Sequence, residues 1–381
     1  MLVNLLLFSM PALQDPVMPR TSGVTPEIGM VLDGLATWDK ESGAGTNLRM
    51  MELSVSSPID PFGRAYAIVE FPGAEEVEVP EAAFVFSELP DNWEIRAGRL
   101  LVDFGKWNTV HLHDLPTIHD DPVRAGLLGG RLTGTGLELH RWFGAGDVPM
   151  RFSLGFFSDF GAHGHSADSH EDHGDHGDHG GGLVSGTSEA AGLRDWGFSG
   201  RITAQHDWGS NGWFQWGLSG FTTPQGLASS YEDGAGDDQT AYGLSSKTFG
   251  ADLTFRRASV DSSKWTMGSL EYWSHSADQA HFDGSLEIER PGLNGLWGVL
   301  EQGTSSAWSR GIHGGVWEVF EEDENELAGM VGIHLNRHLS EFQRLRFGID
   351  YGKDDPEEEK TWTVAIQWSS FLGAHRHGMD W

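Results

Sequence analysis

Apolar residues occupy every second position along most of this chain, and that period restricts the fold more than any other feature. Phe342–Tyr351 shows it most clearly. Leu345, Phe347, Ile349 and Tyr351 share one parity; Arg344, Arg346, Gly348 and Asp350 share the other. Successive side chains of a strand point to opposite faces, so this segment has one greasy face and one charged face. A soluble sandwich also buries one face, and a single strand does not separate the two architectures. Many such strands with charge on the inward parity predict a transmembrane barrel with a wet interior. No apolar run is long enough for a membrane helix.

The pattern predicts strands at Glu27–Trp38, Asn47–Ser57, Phe62–Phe71, Glu78–Leu89, Trp93–Asp103, Arg131–Phe143, Pro149–Phe160 and Trp196–Trp208. It continues at Gly212–Thr223, Ser245–Ala258, Ser263–Ser274, Gly295–Gln302, Gly311–Glu321, Leu327–His338, Phe342–Gly352 and Lys360–Leu372. The fold class is all-β: a single antiparallel transmembrane β-barrel of about 16 strands, with roughly 14–18 as the range. Long connections are expected near 104–130, 161–195, 224–240 and 275–293, alternating with short turns at the other rim. Residues 1–14 read as a signal peptide without a basic start, with cleavage near Ala12; 15–381 read as the barrel, with a His-rich loop at 161–182 inserted.

Composition agrees. A hydrophobic content of 38% is low for a helical membrane protein and ordinary for a barrel whose strands are half polar. The 16 Trp suit aromatic girdles, and the 52 Gly suit tight turns and crowded strands. With no cysteine there is no disulfide framework and no thiolate site. A formal net charge of −31 argues against nucleic acid as a partner and favours cations near a pore mouth. The same charge also serves solubility and loop solvation.

Two clusters carry ligand chemistry. Gly161–Gly182 holds His163, His165, His170, His173, His176 and His179, interleaved with Asp168, Glu171, Asp172, Asp175 and Asp178. Its late part repeats glycine every third residue and is not expected to pack as a strand or stable helix. Imidazole and carboxylate together suit Zn(II), Ni(II) and Cu(II), so the expected metal ligands are those six histidines with Asp172, Asp175 and Asp178. The plain alternative is a hydrophilic loop of biased composition. The second cluster, Phe104–Pro122, carries His111, His113, Asp114, His119, Asp120 and Asp121. It is expected to fold into the lumen with His and Asp lining a constriction, or else to use those side chains only on local backbone groups. An enzyme is not expected, because no general base or α/β pattern accompanies the His-x-His pair. His140 and His334 fall on the polar parity and are expected in the lumen; His375 and His377 follow the last strand.

The run Asp103-Phe104-Gly105-Lys106-Trp107-Asn108-Thr109-Val110-His111-Leu112-His113 resembles a family of bacterial outer-membrane porin-like proteins linked to zinc, and more distantly phosphate-selective porins. Pro80–Ala83, Ile95–Arg99, Asn47–Arg49 with Ser57–Pro61, and Phe371–His375 share the resemblance. Lys106-Trp107 departs from the family's basic-then-Leu pair, and Arg376, His377 and Asp380 make the end before Trp381 unusually polar. The resemblance implies a β-barrel in the Gram-negative outer membrane serving metal or small-solute uptake.

The expected function is passive uptake of small solutes, with divalent metal, zinc foremost, gathered by the His/Asp-rich loop. No cofactor is required; Zn(II) is the ion expected to bind or pass. The expected partners are outer-membrane lipid, the barrel assembly machinery and divalent cations, with a homotrimer as one assembly open to such a barrel. The competing readings are a non-conducting barrel that anchors a surface metal-binding protein, and a soluble periplasmic metal buffer.

Overall fold

A computed structural model describes residues 25–73, 77–163, 183, 185–186, 192–261, 263–321, 324–353, 356 and 359–373. The signal-peptide expectation for 1–14 lies outside the described residues, as do His165, His170, His173, His176, His179, Asp172, Asp175, Asp178, His375, His377 and Trp381. The strands are β1 (Glu27–Asp39), β2 (Gly43–Asp60), β3 (Gly63–Pro72), β4 (Glu78–Leu89), β5 (Trp93–Leu101), β6 (Arg131–Ala145), β7 (Val148–His163), β8 (Gly197–Asp207) and β9 (Gly212–Glu232). They continue as β10 (Asp238–Ala258), β11 (Trp265–Ala277), β12 (Gln279–Phe282), β13 (Leu286–Glu289), β14 (Gly292–Gly303), β15 (Trp308–Glu321), β16 (Glu324–Ser340), β17 (Gln343–Lys353) and β18 (Thr361–Gly373).

Sixteen of these close an antiparallel barrel; β12 and β13 pair only with each other. The seam joins β1 to β18, with Met30 opposite Leu372 and Trp38 opposite Val364. Closure satisfies every wall strand on both sides, which is the condition hydrocarbon imposes on a sheet.

Parity sorts the side chains as the sequence requires. On β17, Phe347 and Ile349 are 41% and 39% exposed on the outside, while Arg346 and Asp350 are 1% and 5% exposed within. Phe249, Leu253, Leu296, Ile312, Val331 and Ile366 extend the outer apolar belt. Exposed aromatics cluster beside the short turns: Phe62, Trp142, Phe143, Trp208, Trp308 and Phe342. Trp38 and Trp362 occupy the opposite rim. Arg141 lies over Trp93, Arg257 over Trp208 and Arg337 over Trp308, at 5.4, 5.5 and 4.7 Å. Such pairs hold rings and cations together at the level of lipid headgroups.

Two connections differ from expectation. Residues 224–240 are mostly strand, because β9 runs to Glu232 and β10 begins at Asp238. Pro224 cannot donate to a ladder, and pairing skips there: Thr223 faces Ser246, and the next pair is Leu227 with Leu244. Pairing then resumes, so the proline marks a bulge and not the end of the strand. Within 275–293, β12 and β13 form a small hairpin, with Gly284 at φ +72° in its turn. The interior also differs. At the depth of Arg346 it holds protein, which buries that guanidinium and accepts its hydrogen bonds.

Candidate functional site

The filling comes from the connection between β5 and β6, residues 102–130, which folds back into the lumen. Its composition drives that return. Val102, Phe104, Leu112, Leu115, Ile118, Val123 and Leu127 are apolar and buried, and burial of each such side chain is worth about 1.5–3 kcal/mol. A short helix, α1 (Pro122–Leu128), opens at Asp121, whose side chain accepts from the Val123 and Arg124 amides at 2.9 and 3.3 Å. It closes at Gly129, φ +78°. The helix lies against β14 and β15. Gly295 leaves room for it, since a Cβ there would stand 2.2 Å from Val123 Cγ1.

Wall side chains fasten the segment around nearly the whole circumference. Arg346 of β17 donates to the carbonyl oxygens of Thr117, at 2.6 Å, and Leu115. Arg344 reaches His113 O, and Arg49 of β2 reaches Ile118 O while pairing with Asp33. Asp103 accepts from Arg151 of β7 at 2.9 Å and from Ser153 at 2.6 Å. Ser219 of β9 accepts from the Gly105 amide at 3.0 Å, and Glu271 of β11 accepts from the Lys106 and Trp107 amides. Asn108 bridges the base of the segment: its amide donates to Val102 O and Leu132 O at 2.8 and 2.9 Å, and its oxygen accepts from Leu132 N at 2.8 Å.

His111 sits in a cage of glutamates. Its Nδ1 lies 3.0 Å from Glu52 Oε2 and 3.2 Å from Glu70 Oε1, and its Nε2 lies 3.0 Å from Glu81 Oε1. His113 Nδ1 is 3.5 Å from the same Glu52 oxygen. The Tyr66 hydroxyl donates to Glu81 at 2.9 Å, and Arg96 bridges Glu81 and Glu138. All of these side chains are buried. His111 belongs to the segment between the membrane-spanning strands. Burial disfavours its imidazolium, but the surrounding glutamates outweigh that and raise its pKa well above the usual 6.5. The cage favours positive charge at its centre.

The segment's other polar side chains keep contact with solvent. Those of Asp114, His119 and Asp120 are 36%, 34% and 30% exposed. Asp120 pairs with Arg124 and with Arg131, and His119 Nε2 lies 3.7 Å from Asp350. Behind Asp350, His313 Nε2 approaches at 2.8 Å and stacks on His334 with centroids 5.5 Å apart. Burial is the leading influence on Asp121, and it pushes the carboxyl up to about 6.

The lumenal cluster therefore divides. Asp114, His119 and Asp120 keep part of their side chains exposed. His111 and His113 do not line an opening; they are driven into the wall, because three inward glutamates wait there. Asp121 is a helix cap. His140 lies inside as expected, 3.1 Å from Glu138, and His334 lies inside beside His313. Of the expected ligands in the His-rich insertion only His163 is described, as the last residue of β7. Glu52, Glu70, Glu81 and His313 were not singled out as site residues by the sequence analysis. Their signal is acid or imidazole on the inward parity of neighbouring strands.

Comparison with known proteins adds the fold. No family model matches the chain. An uncharacterized protein of Aquifex aeolicus (strain VF5) is 30% identical over 111 residues, 29% of this chain and 23% of that protein. The match thus spans under a quarter of that relative's length. Among solved structures, OmpT of Vibrio cholerae aligns with a TM-score of 0.57 at 8% identity, covering 93% of this chain and 99% of that one. An anion-selective porin from Comamonas acidovorans aligns at 0.57 and 11%, covering 92% and 100%. The outer membrane channel DcaP of Acinetobacter baumannii aligns at 0.55 and 12%, covering 93% and 99%. These likenesses establish the porin-like, 16-stranded barrel architecture.

Proposed function

We propose that the protein is a channel of the Gram-negative outer membrane that passes small solutes by diffusion and favours cations, divalent metal among them. One observation carries the reading. The lumenal segment ties its backbone to wall arginines and leaves Asp114, Asp120 and His119 facing solvent. Asp120 is already paired with Arg124 and Arg131, so Asp114 is the carboxylate that would draw cations and repel anions inside the low-dielectric wall. One structural neighbour is described as anion-selective, so the barrel itself does not set the sign of selectivity; the side chains must. His163–His179 and their aspartates serve in this reading as a weak collecting surface for zinc at the outer rim. Weak sites suit conduction, because an ion must leave as well as enter. In this reading outer-membrane lipid is the partner of the apolar belt and the barrel assembly machinery inserts the chain, and a trimer form recorded for OmpT makes a homotrimer the assembly to test first. That belt does not fit a soluble periplasmic buffer.

Reconstitution in planar bilayers tests the proposal. A salt gradient should give a reversal potential of cation-selective sign, and Asp114→Asn should move it toward zero. Absence of conductance rejects the channel. It would favour the second reading, a non-conducting anchor, which has its own support: the segment touches the wall from β2 round to β17.

A further inference from the structure

We propose that Glu52, Glu70 and His111 form a buried site for one divalent transition-metal ion, with Zn(II) the best match, that fastens segment 102–130 to the barrel wall. This would be a resident ion and not a passing one, so the site stands whether or not the barrel conducts. Its three donors come from β2, β3 and the lumenal segment, and their ligand atoms lie within 4.8 Å of one another. Ligands at about 2.0–2.1 Å around a tetrahedral ion stand roughly 3.3–3.4 Å apart. The His111–Glu52 and His111–Glu70 separations of 3.0 and 3.2 Å need to widen by only a few tenths of an ångström. His113 Nδ1, 3.5 Å from Glu52 Oε2, is the next donor in reach for a fourth position.

The surroundings add an independent sign. On the far side of the imidazole, Glu81 Oε1 lies 3.0 Å from Nε2, and Glu81 is itself held by Tyr66 and Arg96. An outer carboxylate on the second ring nitrogen is the usual support for a metal-bound histidine, fixing its tautomer and raising its basicity. An imidazole nitrogen with carboxylate oxygens selects Zn(II), Fe(II), Co(II) or Ni(II) over Mg(II) and Ca(II), which prefer all-oxygen shells. The site is buried, and it would cross-link the segment to two wall strands that it already meets through hydrogen bonds and apolar packing.

The test uses the full barrel lacking residues 164–182, which removes the competing histidines, folded in detergent and checked by heat-modifiable mobility. Co(II) serves as the probe. The expected result is one Co(II) per chain with visible d–d bands, displaced by Zn(II), and bound roughly tenfold or more weakly in Glu70→Gln and in His111→Gln. A folded barrel that takes up no stoichiometric Co(II) or Zn(II), or a folded Glu70→Gln that binds as tightly, overturns the proposal. Should both variants fail to fold, X-ray absorption on the Zn(II)-loaded deletion barrel decides: a mixed nitrogen and oxygen shell at about 2.0–2.1 Å supports the site, and an all-oxygen shell refutes it.

Discussion

Replacing Arg346 by methionine should loosen the lumenal segment and leave the barrel intact. The guanidinium is 1% exposed and donates to Thr117 O and Leu115 O, two carbonyls with no strand to pair them. Each charge-assisted hydrogen bond is worth about 1.5–3 kcal/mol, so losing both costs about 3–6 kcal/mol of docking. Removing a buried charge returns part of its desolvation cost, which argues for the lower end, about 3 kcal/mol. That corresponds to a roughly hundredfold rise in local opening, since about 1.4 kcal/mol is tenfold. Methionine fills similar space, and the backbone of residue 346 still pairs with Asn336 and Gln367. Hydrogen exchange is the assay. Amides around Asp114, whose N–H donates to His111 O at 2.9 Å, should exchange about a hundredfold faster, while β17 itself keeps its protection. Single channels of the variant should open to larger, noisier levels. Exchange within about threefold of the parent across residues 111–119 would refute the view that these arginine–carbonyl bonds hold the segment.

Three further expectations follow from the same geometry. Ile333→Arg places a charge on the outer belt, where Ile333 is 54% exposed, and should cost about 2–4 kcal/mol in urea titrations of vesicle-inserted barrel; no change would mean this face does not meet hydrocarbon. Asp121 has its folded pKa raised to about 6, against roughly 3.9 unfolded, so its favourable contribution is complete below about pH 4 and lost as pH rises through 6. Asp121→Asn keeps the capping oxygen without the charge, so α1 should be better protected than in the parent at pH 7–8 by about 2–3 kcal/mol, the gap closing toward pH 4 after correction for intrinsic exchange; a gap unchanged with pH would count against the buried charge. Deleting 164–182 should leave heat-modifiable mobility unaltered and lower the zinc retained by intact cells at low concentration. Equal retention would show that the insertion does not collect metal.

The barrel was legible in the sequence because membrane strands obey a local rule. Leu345, Phe347 and Ile349 announce their side of the wall without reference to any other strand, and so do Trp362, Ile366 and Trp368. Strand ends were less legible. Pro224 reads as a terminator in isolation, but β10 holds the partner that carries β9 past it. At the site, the sequence marked Phe104–Pro122 as chemically loaded and gave a lumenal loop as one of two readings. It did not show that His111 and His113 would be swallowed by the wall, because their neighbours lie far away in the chain: Glu52, Glu70 and Glu81 precede them on three separate strands.

By itself, then, the sequence determined which side chains meet lipid and which face inward, since a period of two is a property of the extended backbone and needs no partner. Tertiary structure alone decided which inward residues meet one another. Closing β1 on β18 brings Asp33 to Gln367, and the pairing of β2, β3 and β4 with the return of the lumenal segment brings three glutamates to one histidine.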